Sequence, residues 1–391
     1  MNTRLLIVCS ETIPSNAGDG RNAFLLAKTL AAKGYGVTLL AYRYNHQHNG
    51  FENVDGVKIV RARYLAASQL GRFISRVLLL ISALRYGAGQ RRWLLFGAFP
   101  GYLWIWVLGV VMGRSIIFRS TLVGFDDFPS LQGRSSTCKG ILRMATSRLA
   151  GYYALNSAFE KSFRLDFPSI PIFCSPQGVD ISLFGGNEES LEVLRLTHGI
   201  PHDTFVFIMV GHMIERKGFP EIAQWLASVS KPFVLLHVGN HGAAKAEGVD
   251  FHAERISAVT REVKDILGDR CILVEPTAAI ASYYAAAHAF IMASYAEGFP
   301  PNTLNEAMAS GLPVICRRIA GADDYLVNNK NAILFSTRDE FLAGVETLMT
   351  NAELKKRLSV QSREFACARL SIDTISSSLM SFWDEVDVKG R

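Results

Sequence analysis

The chain has 391 residues, 49% of them hydrophobic and 19% charged, which excludes a disordered protein and leaves room for two domains of roughly 100 to 200 residues each. Its six cysteines lie far apart with no C-x-x-C, which excludes a disulfide framework and a structural zinc site and makes a reducing cytosol the simplest compartment. The net charge of +6 divides unevenly, with 21 basic and 9 acidic side chains in residues 1–180 against 20 and 26 in the remainder. A basic front half suits nucleic acid, an anionic membrane face or a phosphorylated substrate, and no nucleic-acid motif accompanies it.

Met1 to Arg4 followed by LLIVCS is too short for a signal peptide and reads as a buried first strand. A polar loop with Gly18-Asp19-Gly20, a helical FLLAKTLAAKGYG and a strand VTLLAY then make a βαβ unit. Gly18 and Gly20 permit close backbone approach to a ligand, or form a plain turn. After a strand near Val57 to Ala62 comes SQLGRFISRVLLLISALRYGAGQRRW, where Arg72, Arg76, Arg85, Arg91 and Arg92 interleave with leucine, isoleucine and phenylalanine. That composition suits a helix lying in a membrane interface, and equally a core-facing helix with solvated arginines. Leu94 to Met112 is uncharged, but Pro100 and Gly101 divide it into a strand and a short helix, so it reads as buried βαβ and not as a membrane span. The loop after the strand at Ile116 to Phe118 carries Arg119, Thr121, Asp126 and Asp127, able to contact a sugar or to cap the loop itself.

In the back half a strand at Phe205 to Val210 leads into Gly211-His212-Met213-Ile214-Glu215-Arg216-Lys217-Gly218, and FVLLHVGN, CILVEP and AFIMAS read as further strands. The segment Tyr295 to Ile315 sets Glu297 and Glu306 on either side of a Gly/Pro loop that opens a helix and is followed by a strand. A loop entering a helix presents backbone N–H groups beside a positive dipole end, which suits a diphosphate. Glu306, read as lying in the first helical turn, suits the paired hydroxyls of a ribose instead. SIDTISSSLMSFWDEV, near the end, is amphipathic at helical spacing.

Glu297-Gly298-Phe299-Pro300 and Leu304-Asn305-Glu306-Ala307-Met308-Ala309-Ser310-Gly311-Leu312-Pro313-Val314 resemble the E-x7-E signature of retaining glycosyltransferase family 4, with one residue more between the glutamates, placed around Pro300 to Asn302. Pro176-Gln177-Gly178-Val179-Asp180 resembles the family's N-G-V-D connector, and Tyr153 to Ser157 its last strand of the first domain. The resemblance implies a GT-B fold, α/β with two Rossmann-like parallel-sheet domains facing a central cleft. It implies an acceptor-side domain over 1–180, a donor-binding domain over 181–370 and a helix over 371–391 crossing back to the first. It further implies that Lys217 pairs with the donor diphosphate, with His212 at the family's arginine position and Arg216 able to assist it. Asn302, Thr303 and Leu304 would offer backbone amides, Gly298 and Phe299 would line the donor loop, and Glu297 would hold donor sugar hydroxyls. Gly18 and Gly20 would face the phosphates, and Arg119, Thr121 and Asp126 the acceptor.

The function so implied is transfer of a hexose from a UDP- or GDP-sugar to a glycan or lipid-linked acceptor, at the inner face of a membrane and without nucleic acid. No D-x-D occurs, so neither metal nor other cofactor is expected and the protein's cations would stand in for the ion. His46 and His48 are the sole histidines before residue 180, in a polar loop, which favours retention, where the departing phosphate takes the acceptor proton, unless Asp126 or Asp127 is a base. Three alternatives stay open: a nucleotide-sugar or glycan binding protein without turnover, a sugar-nucleotide 2-epimerase, and a nicotinamide-dependent oxidoreductase, the last disfavoured because G-D-G lacks the later glycine of the dinucleotide fingerprint.

Overall fold

The computed structural model describes residues 3–14, 18–134, 138–185, 188–242 and 253–389. The chain divides into two compact units, Met1–Gly178 with Ile372–Arg391, and Val179–Ser371. In the first, the elements run β1 (Arg4–Val8), α1 (Gly18–Ala32), β2 (Gly36–Arg43), β3 (Phe51–Val54), β4 (Val57–Arg63), α2 (Gln69–Gly87), β5 (Arg92–Phe96), α3 (Tyr102–Val111), β6 (Ser115–Arg119), α4 (Phe128–Arg134), α5 (Lys139–Thr146), β7 (Gly151–Ala154), α6 (Ser157–Asp166) and β8 (Ile172–Cys174). In the second they run α7 (Glu188–His198), β9 (Phe205–Val210), α8 (Phe219–Leu226), β10 (Phe233–Val238), α9 (Ala253–Leu267), β11 (Cys271–Val274), α10 (Ile280–Ala285), β12 (Ala289–Met292), α11 (Asn302–Ala309), β13 (Val314–Arg317), β14 (Ile333–Phe335), α12 (Arg338–Thr350) and α13 (Ala352–Phe365). Helix α14 (Ile372–Lys389) returns to the first unit.

Among the described residues the first unit holds a sheet of order β3-β4-β2-β1-β5-β6-β7-β8 and the second one of order β11-β10-β9-β12-β13-β14. Every pairing is parallel except that of β3 with β4. Strands such as Leu5 to Val8, Trp93 to Phe96 and Val206 to Met209 are buried throughout, because helices cover both faces and leave no solvated side for alternation. Strand order reverses beside β1 in one unit and β9 in the other, and ligands of open α/β sheets bind outside the carboxyl ends of the strands at such points.

Two expectations change here. The strand at Tyr153 is not the last of its unit, since β8 pairs beyond it; its three residues are too few to show a pattern. Gly18 and Gly20 are not in a loop but in the first turn of α1. A Cβ on Gly20 would stand 2.3 Å from the Glu11 carbonyl oxygen, so the close approach it permits is that of the chain's own β1–α1 connection.

The apolar α3 buries Ile105 and Trp106, whose indole stacks 4.8 Å from Phe118, and no described helix is long and apolar enough to cross a membrane. Helix α14 is anchored by Arg92, which bonds Asp384 at 2.6 Å and Asp387 at 2.9 Å, and by Trp383, whose Nε1 donates to Ser115 Oγ at 2.9 Å. Arg92 and Asp387 are largely buried while Asp384 is exposed, so removal of the guanidinium strands one carboxylate rather than two. Arg92→Ala is expected to cost about 2 kcal/mol, below the ~3–5 of a fully buried pair, as read by chemical denaturation.

Candidate functional site

In the second unit the loops after β9 and β12 meet because Gly218 has no side chain. Its φ of 75° is left-handed, and a Cβ there would lie 2.5 Å from the Ala293 carbonyl oxygen. The Tyr295 N–H donates to the Arg216 carbonyl at 3.0 Å across the same seam. This contact places Lys217 Nζ on Glu297 Oε1, with Arg216 Nη1 at 3.0 Å from the same oxygen. Glu297 is 10% exposed, Lys217 16% and Arg216 39%. Burial pushes the Glu297 carboxyl up, and the Lys217 ammonium and Arg216 guanidinium outweigh it, holding the group below the usual carboxylate range. Two cations against one anion leave the cluster with a surplus positive charge.

Lys217, Ser294 and Thr303 line one cavity of about 10 Å³, wide enough for a single water. The lysine therefore neighbours the first turn of α11, which Pro301 opens. Of the three amides expected there, that of Leu304 is not available: it donates to the Pro301 carbonyl at 3.1 Å, and its side chain is in the core. Asn302 and Thr303, both half-buried, hold the first two helical positions, where the dipole favours an anion. Phe299 is fully buried and stacks 6.3 Å from Tyr325, so its side chain supports the loop from beneath, and Gly298 is buried beside it.

Glu306 lies in the second turn of α11, not the first, because the helix begins at Asn302. It is 5% exposed, and its Oε2 accepts from the Tyr284 hydroxyl at 3.0 Å. Tyr284 escaped the sequence reading, since a tyrosine in IASYYA carries no motif. His237 escaped it too, though a lone polar residue inside FVLLHVGN was a signal. Its Nε2 donates to the Gly211 carbonyl at 2.8 Å, and burial lowers the imidazole to about 4, so it stays neutral and pins the residue before His212. His212 itself is exposed.

The polar loop of the first unit is held together by its own side chains, the capping alternative that its sequence left open. Arg119 is 1% exposed, lies 4.3 Å over the Phe96 ring and 5.2 Å from that of Tyr153, and donates through Nη2 to Gln177 Oε1 at 3.0 Å. Burial lowers its pKa. Asp126 is fully buried and accepts from Thr121 N–H and Leu122 N–H, both at 2.8 Å, and from the Thr121 hydroxyl at 2.7 Å. Asp127 accepts from the Ser130 N–H at 3.0 Å and hydroxyl at 2.8 Å, capping α4. Asp126 thus has both oxygens engaged in holding the β6–α4 loop. Thr121 is tied to it, and Arg119 is a buried brace.

Residues 192–365 match the family model described as Glycosyl transferases group 1. A Bacillus subtilis (strain 168) protein described as "Putative teichuronic acid biosynthesis glycosyltransferase TuaC" is 26% identical over 225 residues, which are 58% of this chain and 52% of that protein. The chain thus spans about half the length of the curated relatives it matches. Among solved structures, the sucrose-phosphate synthase of Thermosynechococcus elongatus superposes with a TM-score of 0.80 at 17% identity, over 99% of this chain and 100% of that one. The Anabaena protein HepE in complex with UDP and glucose gives 0.77 at 16%, over 98% and 100%. The chain has the two parallel-sheet α/β units of the GT-B fold, and residues 192–365 of its second unit match the glycosyl transferases group 1 model.

Proposed function

We propose that this chain is a retaining glycosyltransferase that moves a hexose from a UDP- or GDP-sugar to a glycan or lipid-linked acceptor in polysaccharide or glycolipid synthesis, working without metal at a membrane surface. The observation that carries this reading is the Arg216–Lys217–Glu297 cluster beside the opening turn of α11. The two cations and the helix dipole form a clamp for a departing diphosphate, where fixed charge counts most toward the transition state. Glu297, held ionised between them, is suited to accept from sugar hydroxyls and to offset positive charge developing at the anomeric carbon. Glu306, oriented by Tyr284, is suited to the ribose. The group 1 match over this unit and the UDP and glucose bound by HepE support the donor class, and the teichuronic acid relative supports a polysaccharide product.

The test is product release from a panel of UDP- and GDP-sugars with a membrane acceptor extract, in EDTA and in Mg²⁺. Equal turnover in both is expected for one donor. Turnover in Mg²⁺ alone would remove the metal-free part of the reading, and binding without turnover would turn the chain into a nucleotide-sugar binding protein. Glu306→Ala is expected to weaken donor binding at least about tenfold, the loss of a charge-assisted contact, as measured by titration calorimetry.

A further inference from the structure

Helix α2 inverts the usual amphipathic arrangement. Its inward positions are small: Gly71, Ser75, Ala83 and Gly87 are buried with Leu79. A Cβ on Gly71 would stand 2.7 Å from the Leu65 carbonyl oxygen, and one on Gly87 2.6 Å from the Trp93 ring, so the helix lies close against its own unit. The large apolar residues point the other way. Leu70, Phe73, Ile74, Val77, Ile81 and Leu84, at i, i+3, i+4, i+7, i+11 and i+14, are between 37% and 67% exposed and form one continuous stripe.

The charge around this stripe has one sign. Between Asp55 and Asp126 the sequence holds ten basic residues and no acidic one. Arg72, Arg76 and Arg85 on α2 are exposed. At the far end of the helix Tyr86 stacks on the exposed Phe51 at 6.5 Å, with Lys58 Nζ 5.5 Å from the Phe51 ring and Arg85 5.3 Å over Tyr86, an aromatic and cationic rim. The two carboxylates of that hairpin are already neutralised, Glu52 by Arg61 and Asp55 by Lys28. A second copy would set this cationic surface against itself.

We infer that the outer face of α2 is a docking surface for an anionic lipid bilayer, with the stripe in the acyl boundary and Arg72, Arg76, Arg85 and Lys58 among the headgroups. This deepens the proposed function and rests on it for the lipid-linked acceptor. The test is co-sedimentation of the full chain with phosphatidylcholine vesicles, with and without phosphatidylglycerol. The wild type is expected to bind the anionic vesicles. Phe73→Glu with Ile81→Glu, both exposed, is expected to weaken binding at least about tenfold. Arg72→Gln with Arg76→Gln and Arg85→Gln is expected to weaken it about 100-fold and flatten its salt dependence. Absence of wild-type binding, or binding that Phe73→Glu/Ile81→Glu leaves unchanged, overturns the inference. So does a concentration-dependent dimer in sedimentation equilibrium that the same variant abolishes, which assigns the face to a second copy. Thermal shift with UDP and GDP runs beside it. An equal shift in wild type and variants shows that the variants fold, whereas no shift in the wild type counts against the donor reading and leaves the vesicle result standing.

Discussion

Lys217→Ala is expected to lower kcat for sugar transfer about 100- to 1000-fold, the loss seen when one preorganised donor is taken from a charge-stabilising site. Two effects combine. On the proposed reading the diphosphate loses an ammonium, and Glu297, 10% exposed, loses one of the two cations that together outweigh its desolvation. Arg216 keeps its bond to the carboxylate at 3.0 Å but is more exposed, and a screened cation is a weaker substitute. Lys217→Arg is expected to recover part of the rate, because charge returns without the compact geometry of an ammonium. Steady-state kinetics with the donor from the panel decides, and a fall below tenfold would remove Lys217 from the clamp. The pH profile offers a second check. A carboxyl whose folded pKa is depressed contributes its pairing above the ordinary range and loses it only as pH falls through the lower folded value. Glu297 is thus expected to add no acid limb at or above the usual carboxylate range.

Asp126→Ala is expected to destabilise the first unit by about 3–5 kcal/mol. The carboxylate satisfies the N–H groups of Thr121 and Leu122 and the Thr121 hydroxyl, and alanine leaves these buried donors unpaired, each at a cost of ~1–3 kcal/mol. Asp126→Asn keeps one carbonyl oxygen and is expected to cost about half as much. Chemical denaturation against transfer rate separates the roles: a brace loses stability in both variants, whereas a general base would lose rate in the asparagine variant at unchanged stability.

The contrast between these two residues shows what a sequence carries. The segment from Tyr295 to Ile315 was legible because its loop, helix and strand are contiguous, so spacing alone set Glu297 ahead of α11. The pairing of Lys217 with Glu297 across 80 positions depends on Gly218 meeting Ala293, and neither motif mentions the other. Asp126 and Arg119 have polar letters and buried positions, and burial is a property of the fold, not of the letter. Gly20 was read as making room for a ligand or as a plain turn, and it makes room for Glu11 from within the first turn of α1. In α2 the leucine-rich pattern was visible, but which side of it met the core was decided by the glycines and serine between the leucines.

Helix α14 gives the chain an unusual order of completion. Leu379, Met380 and Trp383 are buried in the core of the first unit, yet they are translated after the whole of Val179–Ser371. The second unit is contiguous and has all its own residues as soon as Ser371 leaves the ribosome, while part of the first unit's core waits for α14. Domains ordinarily finish in the order they are synthesised. Here the order is reversed, so a messenger or protein cut near residue 371 leaves a finished second unit attached to an unfinished first one, with Arg92 and Ser115 short of their closing partners.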